Sequence, residues 1–405
     1  MRILPETRSI EGLIKSPNPL NSLNSELPSP DANALAHSQQ LTDRIREAIA
    51  AGSGWISFER YMDLALYAPG LGYYSAGARK LGAAGDFTTA PELSDLFGHT
   101  LAQQVAEILG EGLTEILEVG AGSGALAASL LEELERLDAL PTRYLILELS
   151  ADLRERSRDT LAARVPHLLE RVAWLNQLPP SFSGVVLGNE VLDAMPVHLI
   201  QKNPGSTDEI GVEFSDGEFR FAHRPASEVL LQTVATLHLP DNYRSEIGLA
   251  AEGFMRSLGA CLTKGVAIFI DYGFSSDEYY HPQRNEGTLM CHYRHRANTD
   301  PFFLPGLQDI TAHVDFSAIA KAATGAGLQL AGFTTQANFL INCGITEILS
   351  RMPASDSLRY LPLSNQATRL LSPAEMGDLF KAIAFSRDFD NPLLGFARGN
   401  RQHTL

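Results

Sequence analysis

The stretch that most constrains this 405-residue chain runs from Glu115 to Arg136, where a short apolar run passes through Gly120-Ala121-Gly122-Ser123-Gly124 into Ala125-Leu126-Ala127-Ala128-Ser129-Leu130-Leu131. The hydrophobic period changes there from that of a strand to that of an amphipathic helix. Glycines at such a junction let the backbone turn sharply and let a ligand approach the N–H groups at the start of the helix. The alternation continues with strands predicted at Tyr144 to Leu147, Val172 to Leu175 and Gly184 to Leu187, and a helix at Asp152 to Arg164. Strand and helix in turn predict an α/β fold with a parallel sheet covered on both faces.

Around this unit the chain reads as several parts. Residues 1–40 are rich in Pro, Ser and Asn, lack a hydrophobic signal core and read as a flexible arm, ending near Ser38. Residues 41–112 form a helical N-terminal segment covering the cofactor site, with helices predicted at Leu41 to Ala50, Phe58 to Tyr67 and Leu93 to Leu109 and a glycine-containing loop from Ala68 to Ala90. The first part of the sheet domain occupies 113–196. Short strands at Val197 to Gln201, Glu209 to Phe214 and Glu218 to His223, the last two joined at Ser215-Asp216-Gly217, open a β/α insertion over 197–262, with a helix predicted from Ser245 to Leu262. The remainder, 263–400, starts with the apolar strand Val266 to Ile270 and Asp271-Tyr272-Gly273, followed by a long polar loop over 273–313. It continues with helices at Phe316 to Ala323 and Phe339 to Leu349, and strands near Leu328 to Phe333 and Lys381 to Phe385.

Composition removes whole classes of function. With 32 basic and 48 acidic residues the net charge is −16, so no overall positive field draws in a phosphate backbone, and nucleic acid is not an expected partner. The longest strongly apolar runs are strand-length, too short to span a membrane. Cys261, Cys291 and Cys343 are far apart and form no CxxC pair; His281, Cys291, His292, His295 and His313 show no firm ligand spacing, so no metal is expected. A reducing cytoplasm fits this cysteine usage.

The glycine turn by itself allows two cofactors. Gly120, Gly122 and Ala125 satisfy the dinucleotide pattern G-x-G-x-x-G/A, which keeps an NAD-dependent oxidoreductase in view. Glu118, two residues before the first glycine, suits a cationic methionine-type ligand and is unhelpful beside a pyrophosphate, and Gly124 extends the pattern to ExGxGxG. Glu148 ends the second strand, 28 positions after Gly120, where a carboxylate takes the ribose hydroxyls of either cofactor. The fourth strand ends in Gly188-Asn189-Glu190-Val191-Leu192-Asp193, beside the first turn because ligands in open α/β sheets lie beyond the carboxyl ends of the strands. Asn189 there suits contact with cofactor or substrate. Glu190 and Asp193 suit a guanidinium, whose donor fork matches carboxylates, while Asp193 alternatively caps a following helix. Asp271 and Tyr272 close a further strand and are expected to face the same crevice, unless they form only a strand-end turn.

These motifs, together with Gly85-Asp86-Phe87-Thr88-Thr89-Ala90-Pro91-Glu92, Tyr61-Met62, Gly72-Tyr73-Tyr74 and Asp309-Ile310-Thr311-Ala312-His313-Val314-Asp315-Phe316, closely resemble the MidA family of class I S-adenosylmethionine-dependent methyltransferases, relatives of the mitochondrial arginine methyltransferase that assists respiratory complex I assembly. The resemblance covers about Ile56 to Phe385. It implies a seven-stranded Rossmann-like sheet with a smaller added lobe, S-adenosyl-L-methionine as cofactor, and protein-arginine methylation, with a respiratory-complex-type subunit as one protein partner in the family and a homodimer left open. It also implies a cofactor contact for Gly85 and Asp86. His295, Asp309 and His313 are expected to lie in a substrate-covering loop or to form the hydrogen bonds that order it. The acidic arm does not look like a mitochondrial import signal, which favours a bacterial cytoplasmic protein.

The expected enzyme is therefore a protein-arginine N-methyltransferase. Its cofactor residues are Gly85, Asp86, Glu118, Gly120, Gly122, Gly124, Glu148 and Asn189, its catalytic carboxylates Glu190, Asp193 and Asp271, and its substrate residues Tyr272, His295, Asp309 and His313. Val197 to His223 and Gly273 to His313 are expected to shape a groove for the protein substrate. The alternative from another class is an assembly or scaffold protein that keeps the fold with little turnover.

Overall fold

The computed structural model describes residues 27–76 and 89–405. Gly85, Asp86 and most of the predicted arm lie outside them. The central sheet has eight strands, seven of them on one continuous path. In chain order these are β1 (Glu115–Val119), β2 (Arg143–Leu147), β3 (Val172–Leu175), β4 (Phe182–Asn189), β5 (Leu262–Phe274), β6 (Gln329–Thr335) and β7 (Phe380–Arg387), arranged in space as β6-β7-β5-β4-β1-β2-β3. The eighth, Val314–Asp315, adds two residues in parallel beside Gly273 and Phe274 at the end of β5. Strands β3 to β5 along that path are parallel as predicted, but β7 runs antiparallel to both β5 and β6.

Apolar stripes explain the two layers on this sheet. Helices Asp95–Leu109 and Ala125–Arg136 cover one face, and Leu130, Leu131 and Leu134 of the second have no exposed surface. Burying each such leucine contributes about 1.5–3 kcal/mol. Helices Leu249–Cys261 and Phe316–Gly325 cover the other face through Met255, Leu258, Phe316 and Ile319. Strand order reverses direction at β1 and β4, which places a crevice beyond their carboxyl ends.

The second lobe differs most from the sequence expectation. The helix Ala32–Ala51 begins inside the segment read as a flexible arm, because Asp31 caps it through the Ala34 N–H (2.9 Å) and Leu41, Ile45 and Ile49 are buried along one side. Its partner is a five-stranded antiparallel sheet made of Ile56–Ser57, His198–Asn203, Ser206–Ser215, Glu218–Pro225 and Tyr243–Ile247. Residues Ser245 to Ile247 thus continue a strand where a helix was expected, and the helix of that region starts at Leu249. A further helix, Glu228–Ala235, was not anticipated; Ser227 caps it and only Leu230 and Val234 are buried, so its apolar period is too short to stand out. The polar loop after β5 is also structured: Met290–Tyr293, Arg296–Asn298 and Asp309–Thr311 form a three-stranded sheet. One core joins all three stretches, with Leu41, Tyr61, Leu199, Val212, Cys291 and Ile310 buried together.

Near the end of the chain, the single helix expected from Phe339 to Leu349 is two, Gln336–Asn342 and Ile345–Ser350, broken at Gly344 (φ 79°). Helix Ser357–Leu371 was not anticipated.

Three parallel strands meet at their start through two glycines. Gly265 (φ 131°) opens the apolar part of β5 where any Cβ would collide with the Gly184 carbonyl oxygen, and a Cβ on Gly184 would collide with that of Glu115. Gly265→Val should therefore destabilise the protein by about 2–4 kcal/mol, read as a lower urea midpoint. An unchanged midpoint would show that the strands separate there at no cost.

Candidate active site

The site is assembled at the carboxyl ends of β1, β2, β4 and β5. After Val119 the chain leaves β1 through Gly120 (φ 68°), Gly122 (φ 54°) and Gly124 (φ 83°), all in the left-handed region where side chains are strained. Gly124 starts the helix, and a Cβ there would press on the Ser157 backbone; one on Gly120 would meet Val191 of the loop after β4. The turn is thus packed from both sides while its N–H groups stay at the helix start.

Glu118 is buried, and its Oε2 accepts the Tyr144 hydroxyl at 2.8 Å. Burial pushes its carboxyl up to about 7, against the pull of that hydrogen bond, and the charge of Glu148 adds to the rise. Glu148 follows β2 directly. Its Oε1 accepts the Ser150 N–H (2.9 Å), where Ser150 caps helix Ala151–Arg164, and burial again raises the carboxyl. Arg154 donates to the carbonyls of Glu148 (2.6 Å) and Leu175 (2.7 Å), tying together the ends of β2 and β3.

On the other side of the turn, Asn189 ends β4, and its Oδ1 is buried with no hydrogen-bond partner among the described residues. Its Nδ2 donates to Glu190 Oε1 (3.1 Å), which also accepts the Ala90 N–H (3.3 Å). Glu190 holds φ at 53°, a conformation uncommon for a residue with a side chain and one that concentrates at functional sites. Burial and then the charge of Asp271 push it up to about 8. No helix follows: the chain turns through Leu192–Met195 and enters strand His198–Asn203, so neither Glu190 nor Asp193 is a helix cap. Asp193 is buried and raised, first by burial and then by Asp271, Glu190 and Asp309.

Asp271 is engaged by backbone N–H groups. Its Oδ2 accepts the N–H groups of Val191 (3.0 Å) and Leu192 (2.8 Å), and Oδ1 accepts that of Tyr272 (2.9 Å), so its oxygens fasten the loop carrying Glu190 and Asp193 to β5. Burial raises it to about 7. Asp309 arrives from the three-stranded sheet, buried, with Oδ1 accepting from Tyr74 Oη (2.9 Å) and the Ile310 N–H (3.0 Å). Tyr272 borders the same acids, and burial followed by Glu190, Asp193 and Asp271 raises its hydroxyl. His313 stacks on Phe274 (5.2 Å) and meets Tyr272 edge-on (6.0 Å); burial and nearby Arg284 push it down to about 4. His295 does not join them: it stands exposed in the turn between Met290–Tyr293 and Arg296–Asn298.

One contribution escaped the sequence reading. Tyr67, at the end of its helix, donates to the Ala194 carbonyl (2.9 Å) and stacks on Tyr74 (5.5 Å), with Asp309, Asp193 and Glu148 as electrostatic neighbours. The tyrosine pair flanking a glycine loop was the available signal. Glu92, on the short turn Ala90–Leu93, accepts the hydroxyl of Ser123 in the glycine loop. That turn thereby touches both the loop and, through Ala90, Glu190.

These features fit S-adenosylmethionine. Three left-handed glycines keep side chains off the loop, Glu118 and Glu148 supply carboxylates at the ends of β1 and β2, and Asn189 adds a buried acceptor without a partner among the described residues.

Comparison with known proteins agrees. The family model described as "Putative S-adenosyl-L-methionine-dependent methyltransferase" matches residues 96–334. A protein from Burkholderia thailandensis, solved bound to S-adenosyl-homocysteine, is 52% identical, with a TM-score of 0.91 over 94% of this chain and 100% of that one. The mouse (Mus musculus) protein arginine methyltransferase NDUFAF7, mitochondrial, is 29% identical over 395 residues, 87% of this chain and 86% of that one. Its zebrafish (Danio rerio) counterpart is 28% identical over 368 residues, 81% of this chain and 83% of that one. No helix among the described residues is long and apolar enough to cross a membrane. A glycine turn built for a cationic nucleoside, a family match over more than half the chain and a relative superposing along its length place the chain in the MidA family of S-adenosylmethionine-dependent methyltransferases.

Proposed function

We propose that the chain methylates an arginine side chain of a protein. The observation that carries this reading is the set of buried acids beyond β4 and β5: among the described residues no cation pairs with Glu190, Asp193 or Asp271, all three are raised by burial, and the charge of Asp271 raises Glu190 and Asp193 further. A guanidinium is a planar cation with paired N–H donors, and its arrival relieves that repulsion while satisfying the carboxylates. The names of the animal relatives point the same way.

Glu118, the three glycines, Glu148 and Asn189 would hold the cofactor, which when bound supplies a methyl group made electrophilic by a sulfonium. Glu190 and Asp193 accept N–H groups of the guanidinium and align one nitrogen toward that methyl. Tyr67, Tyr74 and Tyr272 wall the pocket against water. Glu190 takes the proton that leaves nitrogen on methylation. Asp271 acts as a positioning residue by holding the Glu190 loop, and Asp309 orients Tyr74.

In Glu190→Gln, S-adenosylhomocysteine affinity by calorimetry should change little while methyl transfer falls about 10²-fold, using arginine peptide arrays and extract proteins as acceptors. Methyl groups found on lysine or on small molecules would overturn the arginine assignment, and unchanged transfer would remove Glu190 from the chemistry. Gly122→Val should abolish S-adenosylhomocysteine binding in a folded protein, since it places a branched side chain at a left-handed position where ligand and backbone meet.

Stability should depend on pH with a definite sign. Folded-state values of about 8 for Glu190 and about 7 for Glu118 and Asp271 lie above the unfolded carboxyl range of about 4. Their contribution is fully present below about pH 4 and is lost as pH rises through 7 to 8. The cofactor-free protein should therefore melt higher at about pH 6 than at about pH 8.5, and Glu190→Gln, which cannot ionise, should flatten that slope. Equal slopes in the two proteins would contradict the raised value.

A further inference from the structure

Glu246 is a buried carboxylate outside the acid pocket. It lies in strand Tyr243–Ile247 of the second lobe, opposite Leu199 of the neighbouring strand, and is 2% exposed. Withdrawing a carboxylate from water is costly unless donors surround it, and here most of them come from a turn 42 and 43 positions further on. The Thr288 N–H reaches both carboxylate oxygens (3.0 and 3.1 Å), and the Leu289 N–H reaches Oε1 (3.2 Å). The hydroxyls of Thr288 (3.2 Å) and Tyr279 (3.1 Å) donate to Oε2. So close an approach needs a glycine at position 287 (φ 80°), because a Cβ there would run into Glu246 Oε1.

An ionised carboxylate only accepts hydrogen bonds, so Glu246 takes the Thr288 hydroxyl proton and leaves that oxygen free to accept. What it accepts is the His313 N–H, at 3.0 Å. The preceding N–H, that of Ala312, donates to the Asp193 carbonyl at 3.0 Å. Ala312 and His313 therefore form a strap with one N–H on Thr288 and the other on the loop that carries Asp193. Neither strand nor helix sets the conformation of residues 191–195, so bonds from outside must. Tyr67 supplies a second one, donating to the Ala194 carbonyl at 2.9 Å. The His313 ring extends the effect of the strap, since it stacks on Phe274 and meets Tyr272, which borders the same acids. A continuous path thus runs from the sheet of the second lobe through Thr288 to the acid pocket.

We infer that Thr288 is a positioning residue for methyl transfer: its hydroxyl, fixed by Glu246, holds the strap of Ala312 and His313 and thereby sets Asp193 and Tyr272 against the acceptor. The inference rests on the reading of the acid pocket as the acceptor site. Thr288→Val keeps the size of the side chain and removes the hydroxyl, and Thr288→Ser puts the hydroxyl back. In the full chain, Thr288→Val should leave S-adenosylhomocysteine affinity by calorimetry unchanged. It should slow methyl transfer from labelled S-adenosylmethionine to extract proteins about tenfold, the scale of one lost hydrogen bond, and Thr288→Ser should recover most of the rate. A hydroxyl that only stabilised the fold would lower the melting temperature without separating transfer from cofactor affinity. Amide exchange read by mass spectrometry needs no acceptor: residues 191–195 should exchange faster in Thr288→Val than in wild type or Thr288→Ser, with residues 120–124 unaltered. Full transfer by folded Thr288→Val, an equal loss of S-adenosylhomocysteine affinity, or unaltered exchange of residues 191–195 overturns the inference. Methyl groups found on residues other than arginine, with the same response to valine and serine, keep the positioning role and remove the arginine reading instead.

Discussion

Withdrawal of acidic side chains from water at one end of a parallel sheet governs the rest of this structure. A carboxylate moved into a protein interior without a counter-charge shifts its equilibrium toward the neutral form, and each additional one deepens the shift for its neighbours. Glu190, Asp193 and Asp271 are held in that condition by the convergence of β4 and β5. The fold tolerates them because backbone N–H groups do part of the work: Asp271 takes three, and Glu190 takes one from Ala90. What the backbone leaves unsatisfied is what an incoming cation can recover. Local strain at Glu190 belongs to the same economy of constraint, since only a tightly packed loop keeps a side-chain-bearing residue at φ 53°.

The second lobe exists in relation to that end of the sheet. Tyr67 and Tyr74 come from the N-terminal segment, Asp309 from the sheet after β5, and both reach the acids only because a common core fixes these stretches against the insertion. The pocket therefore has one wall from the sheet domain and one from the lobe. The turn Ala90–Leu93 adds a bridge between the glycine loop and Glu190, so the ends of β1 and β4 are mechanically joined by four residues.

Legibility in the sequence followed the range of the interactions involved. The glycine turn was readable because its requirement is local: a strand period, three residues tolerant of positive φ, and a helix period lie within about twenty positions. Glu118, Glu148, Asn189 and Glu190 followed, since the ends of parallel strands are fixed once the strands are. Asp271 was found, but its hydrogen bonds to Val191 and Leu192 cross 80 and 79 positions, so its anchoring task could not be read from its own neighbourhood. The strand Tyr243–Ile247 was hidden for a similar reason: Glu246 looks like a helical surface residue until it is seen buried and accepting the Thr288 and Leu289 N–H groups. His295 was carried in by its motif and left outside by the geometry of a hairpin turn.

The shared core of the lobe also sets an order of events in synthesis. Leu41, Ile45 and Tyr61 emerge early, but Leu199 and Val212 follow only after β1 to β4, and Cys291 and Ile310 come later still. At ribosomal rates of about 5–20 residues per second, the N-terminal helices wait on the order of ten seconds or more before the last of their partners appears. During that interval their apolar sides are uncovered, and contacts separated so widely along the chain form slowly. A nascent chain of this design cannot complete that core until Ile310 has left the exit tunnel.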